Sequence, residues 1–150
     1  MRRVDRREAL RAGGGAVAVL LAGAHGLHAS PVEVDAEIAK FTSGRPVDQG
    51  KITIELPEIA ENGNTVPLAI VVDSPMTAND YIAELRVLAD GNPRPAVASF
   101  RFTPQCGRAE AATRIRLAGS QIVSAIAKTN DGRFFIAQKP VKVTIGGCGG

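Results

Sequence analysis

Histidine, methionine and the larger aromatics are almost missing from this 150-residue chain, which has two histidines, two methionines, one tyrosine and no tryptophan. Both histidines, His25 and His28, lie before Ala29, and Met76 is the only methionine after the initiator. The body therefore cannot build a Ser-His-Asp or Cys-His nucleophilic site, and it lacks the usual neutral-pH proton shuttle. Histidine-ligated zinc or copper and a thioether copper site are excluded with them. With one tyrosine, Tyr81, there is also little on which nucleobases could stack.

Recognisable motifs are missing too. There is no C-x-x-C, H-E-x-x-H, Walker sequence, dinucleotide-binding glycine fingerprint or calcium loop. The residues call for no cofactor and no metal. Glu55, Glu58 and Glu61 could in principle pair as catalytic carboxylates, but they flank Pro57 in a strand-and-turn pattern and read as a solvated surface.

What is present is ordinary globular material, 45% hydrophobic and 22% charged, enough for one domain. The net charge of +3 is confined to the first 29 residues, which hold five arginines and two acids, while residues 30–150 carry 13 charges of each sign. A neutral body has no general attraction for phosphate backbones, so nucleic acid is not an expected partner.

The basic start, the small and apolar stretch Ala12 to Ala24 and the small residues near Ala29 have the layout of a signal peptide over residues 1–29. The apolar run is shorter than the roughly 18–20 residues of a permanent membrane helix, and Gly13 to Gly15 weaken its helicity, so no membrane anchor is expected in the mature form. Arg6 and Arg7, in Asp5-Arg6-Arg7-Glu8-Ala9-Leu10-Arg11, resemble a twin-arginine export motif, from which Ala9 and Arg11 depart. Cleavage fits after Ala29 or after Ala24. Either export route predicts a periplasmic protein.

The body, residues 30–145, opens with one amphipathic helix, Val32 to Phe41, which places Val34, Ile38 and Phe41 on one face. The period then changes to two. Ile52, Ile54 and Leu56 alternate with Lys51, Thr53 and Glu55, and further strands read at Pro67 to Asp73, Tyr81 to Ala89, Val97 to Thr103, Ala109 to Leu117, Gln121 to Lys128, Arg133 to Ala137 and Val141 to Ile145. Turn signals at Asn62-Gly63-Asn64, Ser74-Pro75, Asn92-Pro93 and Asn130-Asp131-Gly132 separate them. Seven or eight short strands without intervening helices predict an all-β fold, an immunoglobulin-like antiparallel β-sandwich behind a short N-terminal helix.

After Ile145 the chain ends Gly146-Gly147-Cys148-Gly149-Gly150. Four residues without side chains predict a flexible arm over residues 146–150, reaching at most about 17 Å, with Gly146, Gly147, Gly149 and Gly150 giving Cys148 its freedom. A catalytic cysteine would instead be fixed beside a base or a helix N-terminus. Cys148 thus reads as an attachment point on which other enzymes act, in the manner of a group carrier. The other reading of the two cysteines is a Cys106–Cys148 disulfide, usual chemistry for an exported protein. It would close a loop of about 40 residues, contribute around 3–4 kcal/mol, and make the chain an exported β-sandwich binding or adhesion module.

The ending Val141-Lys142-Val143-Thr144-Ile145-Gly146-Gly147-Cys148-Gly149-Gly150 resembles that of the SoxY family of the bacterial Sox sulfur-oxidation system. So do Leu56-Pro57-Glu58-Ile59-Ala60-Glu61-Asn62-Gly63-Asn64-Thr65-Val66-Pro67, Val72-Asp73-Ser74-Pro75-Met76-Thr77 and Thr113-Arg114-Ile115-Arg116-Leu117-Ala118. The resemblance implies a periplasmic immunoglobulin-like carrier that catalyses nothing itself and works as a heterodimer with SoxZ. It implies that SoxAX oxidatively joins thiosulfate to Cys148, that SoxB releases sulfate, and that a sulfane dehydrogenase or another route handles the remaining sulfur. Cys106 departs from the family pattern and reads as an incidental small residue in a turn.

Overall fold

The computed structural model describes residues 31–147. Residues 1–30, with the expected export motif at Arg6 and Arg7, and the last three residues, Cys148, Gly149 and Gly150, lie outside them.

Helix α1, Pro31–Thr42, precedes nine strands: β1 Val47–Gln49, β2 Ile52–Glu55, β3 Ile59–Asn62, β4 Val66–Val72, β5 Ile82–Ala89, β6 Ala96–Arg101, β7 Ala109–Ile115, β8 Gln121–Thr129 and β9 Phe134–Ile145. Strands β2, β4 and β7 form a small antiparallel sheet. The larger sheet runs β1-β9-β8-β5-β6, with β3 also on β9. This is the expected two-sheet β architecture with a short N-terminal helix.

Period-two patterning produces the core. Val66, Leu68, Ile70 and Val72 on β4 face inward against Leu85 and Val87 of β5 and Val123, Ala125 and Ala127 of β8, in one continuous apolar cluster. The outer face of the large sheet is covered by α1. Phe41 meets Phe134 edge to face at 5.5 Å, Arg86 lies 4.1 Å over the Phe41 ring, and Val34 is buried. Strand β8, with apolar layers on both sides, is therefore buried at every residue from Val123 to Ala127.

The structure departs from the sequence reading in three places. Strands β1 and β3 run parallel to β9, at Val47↔Phe134 and Ile59↔Lys142, so the sheet is not purely antiparallel. Both are three or four residues long and mostly exposed, and leave no alternation to read. The two expected strands at Arg133 to Ala137 and Val141 to Ile145 are one strand, β9, running through Pro140. Lys142 donates its N–H to Glu58 on the β3 edge, and the nitrogen of Pro140, of the same parity, faces that edge too. There the chain has left β1 for the small sheet and has not yet returned as β3, so the missing donor costs no ladder bond.

Candidate functional site

The root of the C-terminal tail is held by two backbone segments, the β3–β4 turn and the loop after β7. In the β3–β4 turn Asn62 accepts the N–H of Asn64 at 2.9 Å through its side-chain oxygen, an Asx turn that turns Gly63 toward β9. Gly63 donates to the Ile145 carbonyl, Leu117 donates to the Gly63 carbonyl, and Gly147 donates to the Leu117 carbonyl, each at 2.8 Å. The loop after β7 is braced from behind. Asn92 donates to the Arg116 carbonyl and accepts from the Ala118 N–H, both at 2.9 Å, and buried Gln121 donates to the same Asn92 oxygen at 3.1 Å.

These backbones approach so closely that no side chain fits. A Cβ on Gly147 would overlap the carbonyl of Gly63 and the nitrogen of Asn64, and one on Gly146 would overlap the Ala118 carbonyl oxygen. One on Gly63 would overlap the Leu117 oxygen and lie 2.6 Å from the Gly147 nitrogen. Gly147 is buried. Gly146 and Gly147, expected at the base of a flexible arm, lie here against the backbones of Ala118 and of Gly63–Asn64, where their lack of a Cβ permits the close approach, while Gly149 and Gly150 lie outside the described residues. The sequence pattern gives Gly63, Leu117, Ala118 and Asn92 no site role, although Asn62-Gly63-Asn64 and Asn92-Pro93 are legible as turns and Leu117 as the end of a strand.

Cys106 follows β6 in a short 3-10 turn, Pro104–Cys106, where it is exposed and free. Its sulfur accepts from the Thr103 N–H at 3.5 Å. This turn precedes β7, whereas Gly147 is bonded at Leu117, past the far end of the same seven-residue strand. Such a strand spans about 20 Å, and disulfide-bonded cysteines have Cα atoms within about 7 Å. A Cys106–Cys148 bridge does not fit a root held in this way. Glu55, Glu58 and Glu61 are all exposed. Among the described residues no group of three or more His, Cys, Asp or Glu side chains could hold a metal ion.

The family model of the sulfur oxidation protein SoxY matches residues 38–148, from within α1 through Cys148. The chain belongs to the SoxY family. The structure of the sulfur carrier protein SoxY from Chlorobium limicola f thiosulfatophilum is similar at 30% identity, with a TM-score of 0.65, over 77% of this chain and 100% of that one. Superoxide reductases share the SoxY fold but only the fold. The neelaredoxin from Ignicoccus hospitalis is 20% identical at a TM-score of 0.56, over 78% of this chain and 95% of its own. The superoxide reductase from Nanoarchaeum equitans is 14% identical at a TM-score of 0.51, over 64% of this chain and 100% of its own. No curated protein sequence matches the chain.

Proposed function

We propose that this chain carries thiosulfate-derived sulfur covalently on the Cys148 thiol in the periplasm, after export directed by residues 1–29, and that partner enzymes perform every chemical step. The observation that carries the reading is the SoxY family match continuing through Cys148, together with the 30% identity to a sulfur carrier. The composition supports it, since residues 30–150 offer no histidine to act as a base.

In the loading step the thiol and thiosulfate form an S–S bond, R–SH + S₂O₃²⁻ → R–S–S–SO₃⁻ + H⁺ + 2e⁻, with the electrons passing to the cytochrome partner SoxAX. SoxB then adds water across the terminal S–S bond, R–S–S–SO₃⁻ + H₂O → R–S–S⁻ + SO₄²⁻ + 2H⁺, leaving one sulfur on the cysteine for a sulfane dehydrogenase. Covalent attachment keeps partly oxidised sulfur from diffusing away between enzymes. SoxZ is the proposed stable partner, as a heterodimer.

The test is a reconstituted thiosulfate-oxidising system. Cys148→Ser should abolish turnover and the thiosulfate adduct seen by intact mass, and reductant should remove that adduct from the wild type. Undiminished turnover by Cys148→Ser would refute the proposal.

A further inference from the structure

We propose that the apolar face formed by Ile59, Ile122 and Pro140 is where the enzyme that loads Cys148, the cytochrome partner SoxAX, seats itself on the body while it works on the thiol. The inference deepens the reading of Cys148 as the carrier thiol and rests on it.

Among the described residues four large apolar side chains are exposed: Val32 in α1, and Ile59, Ile122 and Ile145, which are 61%, 42% and 65% exposed in β3, β8 and β9. Single exposed apolar residues are ordinary, whereas a group of them marks an interaction surface. Ala60, Val123 and Val141 belong to the core cluster, so Ile59, Ile122 and Pro140, each one residue away, point to the outer side of the large sheet. Ile122 stands opposite Pro140, and Ile59 opposite Lys142, two residues further along β9. Helix α1 covers this side only around Phe134 and Arg86, toward the start of β9. At the uncovered end a depression of about 630 Å³ has Ile122, Pro140, Glu58 and Lys142 in its lining. The backbone beneath is ordered: Ile122 donates to the Asp90 carboxylate at 2.8 Å, and Lys142 donates to the Glu58 carbonyl at 2.9 Å. The two isoleucines therefore need little ordering when a partner arrives.

The reach of the thiol decides what covers this face. Three residues take the chain from Ile145, the last of β9, to Cys148, so even a fully extended arm carries that residue no more than about 11 Å from the strand end. Lys142, beside Ile59, precedes Ile145 by three residues, about 10 Å along the strand. A standard interface of about 800 Å² per partner is about 30 Å across, so an enzyme holding this thiol contacts the strand end and has the apolar face within its footprint. In the other direction it would meet exposed Asn62, Asn64 and Arg116, whose polar groups cost desolvation. A small apolar area beside charged groups also has the anatomy of a transient contact, whereas a permanent heterodimer calls for a larger apolar surface.

The experiment uses the mature chain in complex with SoxZ and compares Ile59→Glu, Ile122→Glu and Val32→Glu, the last carrying the same change outside the family-matched residues. Thiosulfate loading by SoxAX is followed against carrier concentration. Ile59→Glu and Ile122→Glu should each raise KM for the carrier by about tenfold or more with kcat little changed, and Val32→Glu should leave both unchanged. Ile59→Ser, which removes the apolar side chain without adding a charge, should move KM the same way and keeps the test valid if a glutamate disturbs the edge strand. Binding of SoxAX to the Cys148→Ser carrier, which offers no thiol, should weaken about tenfold when Ile59→Glu is added.

Unchanged KM and binding in the Ile59 variants overturn the proposal. Loss of the SoxZ complex in those variants, seen by native mass, overturns it in favour of SoxZ as the occupant. A chain that is dimeric without SoxZ as wild type and monomeric as Ile59→Glu, with loading unaffected, overturns it in favour of a second copy. Turnover by Cys148→Ser defeats the carrier reading, while the binding measurement on that variant still reports on the docking face.

Discussion

Truncating Leu117 should be among the most damaging single changes to the body. The side chain is fully buried in the main apolar cluster, and its backbone N–H and C=O are both engaged, by Gly63 and Gly147. Leu→Ala in a core loses the transfer free energy of the removed carbons and leaves a cavity, together about 2–5 kcal/mol. The larger costs arise where surroundings cannot collapse. Here the backbone is tied on both sides, so the loss should fall in the upper half, about 3.5–5 kcal/mol. Against a total of about 5–15 kcal/mol for a domain, that is a large fraction. Urea unfolding followed by far-ultraviolet circular dichroism should show a lower midpoint at unchanged m. Ile122→Ala, at a residue 42% exposed, should cost under about 1 kcal/mol in the same assay. A loss below about 1 kcal/mol for Leu117→Ala would refute the view that this side chain anchors the loop at the tail root.

Two further outcomes concern residues away from the root. The Thr129 hydroxyl and then Arg133 hold the Asp131 carboxyl below its ordinary range in the β8–β9 turn. A depressed folded value stabilises above the ordinary carboxylate value of about 3.9 and loses that contribution as pH falls through the folded value. The urea midpoints of wild type and Asp131→Asn should therefore differ near neutral pH and converge in acid, and a gap that persisted or widened in acid would contradict this. Cys106→Ser should change stability by no more than about 0.5 kcal/mol, and native Cys106 should react with a thiol reagent without denaturant, checked by peptide mass.

The elements with strong periodicity were legible in the sequence. The face Val34-Ile38-Phe41 lies in α1, and the alternation Val66-Leu68-Ile70-Val72 is the inner row of β4. Strands β1 and β3 were not, because a short parallel strand on a mostly exposed edge owes its existence to its neighbour, β9, and a single chain segment carries no record of its neighbour. Pro140 misled for a related reason. Proline breaks a ladder only where its nitrogen would have donated, and whether the facing edge is occupied depends on the path of residues 50–58 through the other sheet.

The tail shows the same limit in its sharpest form. Glycine has two physical consequences, freedom of the backbone and absence of a Cβ, and a run such as Gly146-Gly147 advertises the first while the fold can use the second. What decides between them is whether another backbone lies within contact distance. Here two do, Gly63–Asn64 and Leu117–Ala118, about 80 and 30 residues earlier in the chain. A root free of other backbones would tolerate alanine at Gly147 with little structural consequence and would be indifferent to residue 63. A root packed on Gly63 couples the two positions, so their interdependence separates glycine as a hinge from glycine as a fit.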